Sequence, residues 1–197
     1  MSRVGRAPRV NPFSTRFTQP GAIPFRFAAA DGLAALVAKL DSTNGWGQIV
    51  GPHGSGKSTL LASLLPALSG WKVRHVRLDT SHRTLPPDLF VPPEPGALLV
   101  VDGFEQLGVL ARFRVRRHCR LHGSGLLVTA HRSMGLPDLH RTNAAAHAAA
   151  LIADLLPPHG EWVLDGFDIA ARLRHHRGSL REVLFELYDR WECEPRV

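Results

Sequence analysis

A three-layer α/β fold with a mainly parallel sheet and a small C-terminal helical unit is the class this sequence predicts, on three observations. Short, nearly continuous apolar runs recur at Trp46–Val50, Ala97–Asp102 and Gly125–Ala130, the pattern of strands buried on both faces. Stretches of helical periodicity stand between them, as at Leu60, Leu61, Leu64, Leu65 and Leu68. The first run also passes through a glycine-rich loop straight into such a stretch, the strand–loop–helix order that parallel strands need for their crossovers.

Residues 1–27 interleave Phe13, Phe17, Phe25 and Phe27 with arginines and with Pro8, Pro12, Pro20 and Pro24. Prolines at that density bar a regular helix, while the phenylalanines argue against pure disorder. The stretch therefore reads as an extended arm packed on the domain. Its apolar side chains either anchor it in the core or wall an adenine ring. Asp31 is the expected N-cap of a helix through Leu33, Leu36, Val37 and Leu40 that ends near Asn44-Gly45.

Strand Trp46–Val50 then opens into Gly51, Pro52, His53, Gly54, Ser55, Gly56, Lys57, Ser58 and Thr59. Within it Gly51, Gly56, Lys57 and Ser58 hold the G-x-x-x-x-G-K-[ST] spacing of a phosphate-binding loop. The residue types follow from the chemistry. Glycines let successive backbone N–H groups turn inward as an anion nest. Lys57 would reach the β- and γ-phosphates as a point charge, and the Ser58 hydroxyl would ligate Mg²⁺. The helix that follows adds the positive end of its dipole, and Pro66 limits its length. Residues 51–59 are the expected seat of a nucleoside triphosphate, ATP, with Mg²⁺.

Trp71–Leu78 alternates as a second strand whose Lys72, Arg74 and Arg77 suit a sheet edge. Asp79–Gly96 carries Pro86, Pro87, Pro92, Pro93 and Pro95 and reads as a surface connection in place of a crossover helix. Ala97–Asp102 is an apolar strand ending in a carboxylate, the Walker B pattern, which delivers Asp102 to the magnesium site. Glu105 either polarises the attacking water or completes a local Asp102-x-x-Glu105 capping box. The expected helix Glu105–Leu121 sets Arg112, Arg116 and Arg120 at i, i+4 spacing, an unneutralised stripe suited to an acidic partner or nucleic acid. Thr129, near the end of the Gly125–Ala130 strand, either senses the γ-phosphate and holds the lytic water or merely fills a β position.

A last short strand is expected near Leu139–Thr142. Helices follow over Ala144–Leu156, stopped by Pro157-Pro158, and from the Asp168 cap to Gly178. A Ser179-x-x-Glu182 capping box opens the final helix, which aligns Leu180, Val183, Leu184, Leu187, Tyr188 and Trp191. Arg181 opposes the dipole in that first turn, so it is either exposed or faces phosphate oxygens.

At 197 residues the chain suffices for one domain with an appendage. No apolar run is of membrane-spanning length and no apolar leader follows the charged N-terminus, so membrane insertion is not expected. Cys119 and Cys193 lack metal-type spacing, and a reducing cytoplasm is the expected setting. The net charge of +7 comes from arginine, lysine standing only at 39, 57 and 72. It reflects either an acidic partner or a merely solvated basic surface.

In its order of parts the chain resembles the AAA+ branch of P-loop ATPases over most of its length. The parts are the Gly51–Ser58 loop, the Asp102 strand, the Thr129 strand and Arg177-Gly178-Ser179-Leu180-Arg181-Glu182. The resemblance implies a P-loop NTPase core at 46–142, with the arm and helix of 1–45 packed on it and a helical lid at 143–197. It implies that Thr129 stands at sensor 1 and that Arg181 is the sensor 2 arginine, touching the γ-phosphate and coupling the lid to the nucleotide. Arg132 and Arg141 are candidate arginine fingers by position, and a homo-oligomer is a candidate assembly. Two departures stand out: Gly103 replaces the family's glutamate directly after the aspartate, and the lid is short. The expected activity is Mg²⁺-dependent ATP hydrolysis that moves the lid and alters a partner contact. The alternatives are a slowly hydrolysing ATP-gated switch or adaptor and a phosphoryl-transferring kinase. A Ser-Gly-Gly signature and an Asn-Lys-x-Asp guanine motif are both absent.

Overall fold

The computed structural model of the chain describes residues 10–19, 21–27 and 32–193. Asp31, the expected helix cap, and Pro8 and Pro20 of the arm lie outside these. Five strands, β1 (Trp46–Val50), β2 (Lys72–Arg77), β3 (Ala97–Asp102), β4 (Gly125–Ala130) and β5 (Asp138–Arg141), form one sheet. All neighbours are parallel, in the order β2-β3-β4-β1-β5. The class is α/β, as the apolar runs predict. Strand β4 is inserted between β1 and β3, so the ends of β3, β4 and β1 stand side by side on one rim. Open parallel sheets place ligands at that carboxyl edge.

Side-chain alternation sorts the sheet into two packed faces. Leu98 and Val100 of β3 and Leu127 of β4 meet α2 (Gly32–Ser42) and α3 (Lys57–Leu64) through Leu36, Leu40, Leu60, Leu61 and Leu64. Their neighbours Leu99, Val101, Leu126 and Val128 face the other way, onto Val115 and Cys119 of α4 (Val109–Leu121). Each such fully buried leucine or valine contributes about 1.5–3 kcal/mol relative to exposure. Gln48 ties the inserted geometry together. Its side-chain amide donates to Asp138 Oδ1 at 2.6 Å and Ser133 Oγ at 2.9 Å, and its carbonyl accepts from Met134 N at 2.7 Å.

A separate apolar cluster joins the C-terminal helices α5 (Ala148–Leu155), α6 (Ile169–His175) and α7 (Leu180–Glu192). Phe13 of the arm is buried in it against Trp191. The arm contains one helical turn, α1 (Thr15–Thr18), before Phe25 and Phe27 pack beside the α2–α3 cluster. The anchoring reading thus holds for Phe13, Phe25 and Phe27, whereas Phe17 is exposed.

β2 lies at the edge, mostly exposed, because the 79–96 connection supplies only the 3-10 turn Pro87–Phe90 to cover it. Arg74 holds that connection through Asp88 at 2.6 Å, and Lys72 does so through Glu94.

Three local expectations need correction. α4 begins at Val109 rather than at Glu105: Gly103, at φ 83°, turns the chain into a 3-10 turn (Phe104–Gln106), and Gly108 is extended. The helix expected from Ala144 starts at Ala148, because Asn143 Oδ1 accepts from Ala145 N and tightens Ala144–Ala146 into a 3-10 turn. At Ser179 the cap is one-sided. Its Oγ accepts from Glu182 N at 3.5 Å, while its own N–H goes to the His176 carbonyl and not to the Glu182 side chain. Among the described residues no helix is long and apolar enough to cross a membrane.

Candidate functional site

The loop after β1 wraps around its own backbone. Gly51 N–H donates to the Ala130 carbonyl, the Ser55 hydroxyl donates to the Pro52 carbonyl at 2.8 Å, and Ser55 and Thr142 share a 2.6 Å hydroxyl contact. A Cβ on Gly51 would drive into the Thr142 hydroxyl and carbonyl. Gly54, at φ +69°, would meet Ser179 Oγ and, at 3.0 Å, the Arg181 Cβ. Here the start of α7 lies on the loop, with Leu180 N–H donating to the Gly54 carbonyl at 3.2 Å. Gly56, at φ +95°, leads into α3, whose free N–H groups open onto the same space.

Lys57, the first residue of α3, is buried. Its ammonium donates to the carbonyls of Gly51 at 2.9 Å and Pro52 at 2.7 Å, using two of its three protons. Burial holds its pKa below the ordinary lysine value, against the pull of Glu105 and Asp102, which act to raise it.

Asp102, at the end of β3, is the node of the site. Its Oδ1 accepts from Ser58 Oγ at 3.2 Å and from Thr129 Oγ1 at 2.5 Å. The Thr129 hydroxyl in turn accepts from Gly103 N–H at 2.9 Å. Thr129 spends its one proton on Asp102 and is only 1% exposed, so it fixes the Asp102 carboxylate and is more than a β filler. The capping-box reading of Asp102 and Glu105 is set aside, since the Asp102 oxygen points to Ser58 and Thr129.

Glu105 stands on the 3-10 turn and faces the same cleft. One carboxylate oxygen lies 3.1 Å from His131 Nε2, just past β4, and the other is buried without a hydrogen-bond partner. Burial lowers the pKa of His131, and the Lys57 cation lowers it further while Glu105 opposes both. A neutral imidazole carrying its proton on Nε2 is the tautomer that suits this contact. His53 stacks edge-on against His131 at 5.5 Å.

These groups surround a cleft of about 800 Å³, within the range of small-molecule sites. The loop residues His53 to Thr59, Asp102, Gly103, Glu105, Thr129, His131 and Arg181 line it, with Ile23, Pro24 and Phe25 of the arm and His147 and Leu151 beyond β5. Arg181 is exposed and reaches over Phe185. Arg132 and Arg141 are not among the described lining residues, and Arg141 pairs with Asp138 of its own strand at 2.7 Å.

Two arginines of the α4 stripe are half-buried against the protein, and the third is exposed. Arg112 donates to the Glu105 carbonyl at 2.7 Å, Arg116 donates to the Met134 carbonyl and lies over Phe104, and Arg120 lies over the Trp46 ring. Among the described residues none of the three meets a carboxylate, so their charges stay unneutralised while two of the side chains lie against the protein. Sequence reasoning also passes over His131 and Thr142. Their only local signal is a polar residue just after a strand, and topology does the rest.

The site offers the Lys57 ammonium with arginines at its walls, hydroxyl and carboxylate oxygens, and a glycine cradle. That is chemistry for holding a polyanion and a hard cation, with a partnerless carboxylate oxygen beside them. Among known proteins, no family model and no curated sequence matches this chain.

Proposed function

We propose that this protein binds ATP and hydrolyses it with Mg²⁺, as a P-loop ATPase similar in plan to the AAA+ branch. One observation carries the reading: the Lys57 ammonium, the Ser58 hydroxyl and the Asp102 carboxylate meet at the carboxyl rim of a parallel sheet, beside glycines with no room for a Cβ. The donor set fits Mg²⁺, which prefers oxygen ligands and takes few of them from protein when phosphates supply the rest. When bound, Mg²⁺ would neutralise charge on the phosphate oxygens.

The chain's own groups then have distinct tasks. Residues Gly51, Pro52, His53, Gly54, Ser55, Gly56 and Thr59 frame the phosphates, Lys57 holds the β- and γ-oxygens, and Ser58 and Asp102 hold Mg²⁺. Thr129 positions Asp102. The Glu105 carboxylate accepts a hydrogen bond from the attacking water, orienting it for displacement at the γ-phosphorus. Arg181, set against Gly54 at the start of α7, reports the phosphate to the 143–197 helices. That supports a lid whose position follows the nucleotide.

Calorimetry and phosphate-release assays on the full chain test this. Lys57→Ala should abolish binding of Mg·ATP, and Glu105→Gln should bind but turn over at least tenfold more slowly. Absence of heat with ATP, GTP and ADP on folded protein would overturn the proposal. The second reading, a slowly hydrolysing switch, is favoured by the contact of Glu105 with His131, which competes for the carboxylate. It predicts that ATP protects residues 143–193 from proteolysis with negligible phosphate release.

A further inference from the structure

α4 buries a narrow apolar seam and leaves a second set of apolar side chains in water. Val115 and Cys119 pack inward, but Val109 is 78%, Leu110 80%, Phe113 61% and Leu121 67% exposed. A surface helix ordinarily turns polar and charged residues outward instead. Positions 110, 113, 114, 117 and 121 fall along one stripe of the helix. Arg114 and Arg117 are the charged members of that stripe, and α4 contains no carboxylate. Arg114 lies over Phe90 at 5.0 Å, so the apolar surface runs on towards Val91, itself 62% exposed.

Two kinds of acidic occupant suit this charge, and the side chains choose between them. A nucleic acid backbone needs cations and offers no apolar surface to Leu110, Phe113 and Leu121, and Arg112 and Arg116 are half-buried on internal carbonyls. The outer stripe is apolar with two guanidinium groups, and Arg120 stands exposed beside it. Apolar groups gain only against other apolar groups, and patches of this kind mark protein contacts. We propose that the outer face of α4 docks an amphipathic helix of a partner protein. Its apolar residues lie on Leu110, Phe113 and Leu121, and its Asp and Glu residues lie on Arg114 and Arg117. On α4 the apolar anchors stand at i, i+3 and i+11, with the arginines at i+4 and i+7. None of these five residues lines the cleft, so the inference stands apart from the nucleotide reading.

A display library of random helix-biased peptides, panned on the full chain and counter-selected on the Leu110→Glu/Phe113→Glu variant, tests it. The expected winners carry apolar residues at i, i+3 or i+4, and i+7, flanked by Asp and Glu. Their affinity should fall at least tenfold on the double variant, fall with salt, and fall severalfold on Arg114→Ala and Arg117→Ala. Circular dichroism and the melting temperature of each variant serve as folding controls, with Leu121→Glu as the substitute if the double variant is unfolded. The proposal is overturned if no peptide is enriched, if the winners lack carboxylates, or if they bind the double variant equally well. It also falls if duplex DNA competes for the face, or if sedimentation shows the face occupied by a second copy of the chain.

Discussion

Thr129→Val isolates the hydroxyl on which the Asp102 geometry rests, because it keeps shape and β-branching while deleting one oxygen. Two hydrogen bonds go with it: the 2.5 Å donation to Asp102 and the 2.9 Å acceptance from Gly103 N–H. A hydrogen bond to a charged group is worth about 1.5–3 kcal/mol net, and stranding a donor costs about 1–3 kcal/mol. The two overlap at one site, so about 3 kcal/mol is the working figure. In a domain of this size each kcal/mol moves the melting temperature by about 3 °C, giving a fall of about 9 °C. Thr129→Ser keeps the hydroxyl and loses one methyl group, a cost nearer about 1 kcal/mol. Thermal melts of both variants, followed by circular dichroism, separate the two causes. If Thr129→Val melts with Thr129→Ser, the hydroxyl carries no load and Asp102 is held by something else. Under the proposed function, Thr129→Val should also lower Mg²⁺-dependent ATP affinity more than metal-free affinity.

Two further outcomes follow from backbone and burial. Gly103→Ala should destabilise the fold by about 2 kcal/mol or more, since φ is +83° and the new Cβ meets the Leu78 carbonyl. A urea midpoint equal to that of wild type would contradict the geometry. Stability should also fall on acidification from about pH 8 to about pH 5.5. Burial holds His118, His131 and His140 below the ordinary value of 6.5. The unfolded chain therefore takes up protons near 6.5 that the folded chain refuses, and stability levels off only below the folded values. Urea midpoints against pH check the sign. A flat or rising profile on acidification would refute it, and His→Gln at all three positions should flatten the wild-type slope.

The strands were legible because burial on both faces leaves β1, β3 and β4 as short, largely apolar runs. The 51–58 loop was legible because its glycines are dictated by backbone contacts that few other residues satisfy, as at Gly51 and Gly54. The face of α4 was not. Spacing groups Arg112, Arg116 and Arg120, but only the neighbouring Glu105 and Met134 carbonyls and Phe104 decide that the first two lie half-buried against the protein. His131 and Thr142 were missed for a topological reason. Their place beside Glu105 and Ser55 depends on β4 lying between β1 and β3 and on β5 lying beyond β1, and Ser55 and Thr142 are 87 residues apart in sequence.

Gly103 connects the backbone to the chemistry. Its positive φ and the Leu78 carbonyl against its absent Cβ exclude a glutamate at that position, whatever catalysis would prefer. The carboxylate that reaches the cleft stands two residues later, on a turn closed by Gln106 N–H to the Gly103 carbonyl. Buried Phe104 anchors that turn, and Arg112 grips the Glu105 carbonyl from α4. With its backbone held on three sides, the Glu105 side chain has one oxygen on His131 and one with no partner. A residue serving only as a helix cap would have spent its oxygens on N–H groups of its own helix. Under the proposed function, moving the carboxylate from the strand end to this turn makes it share a histidine. Water orientation then depends on the protonation of His131, and turnover should respond to pH where ATP binding does not.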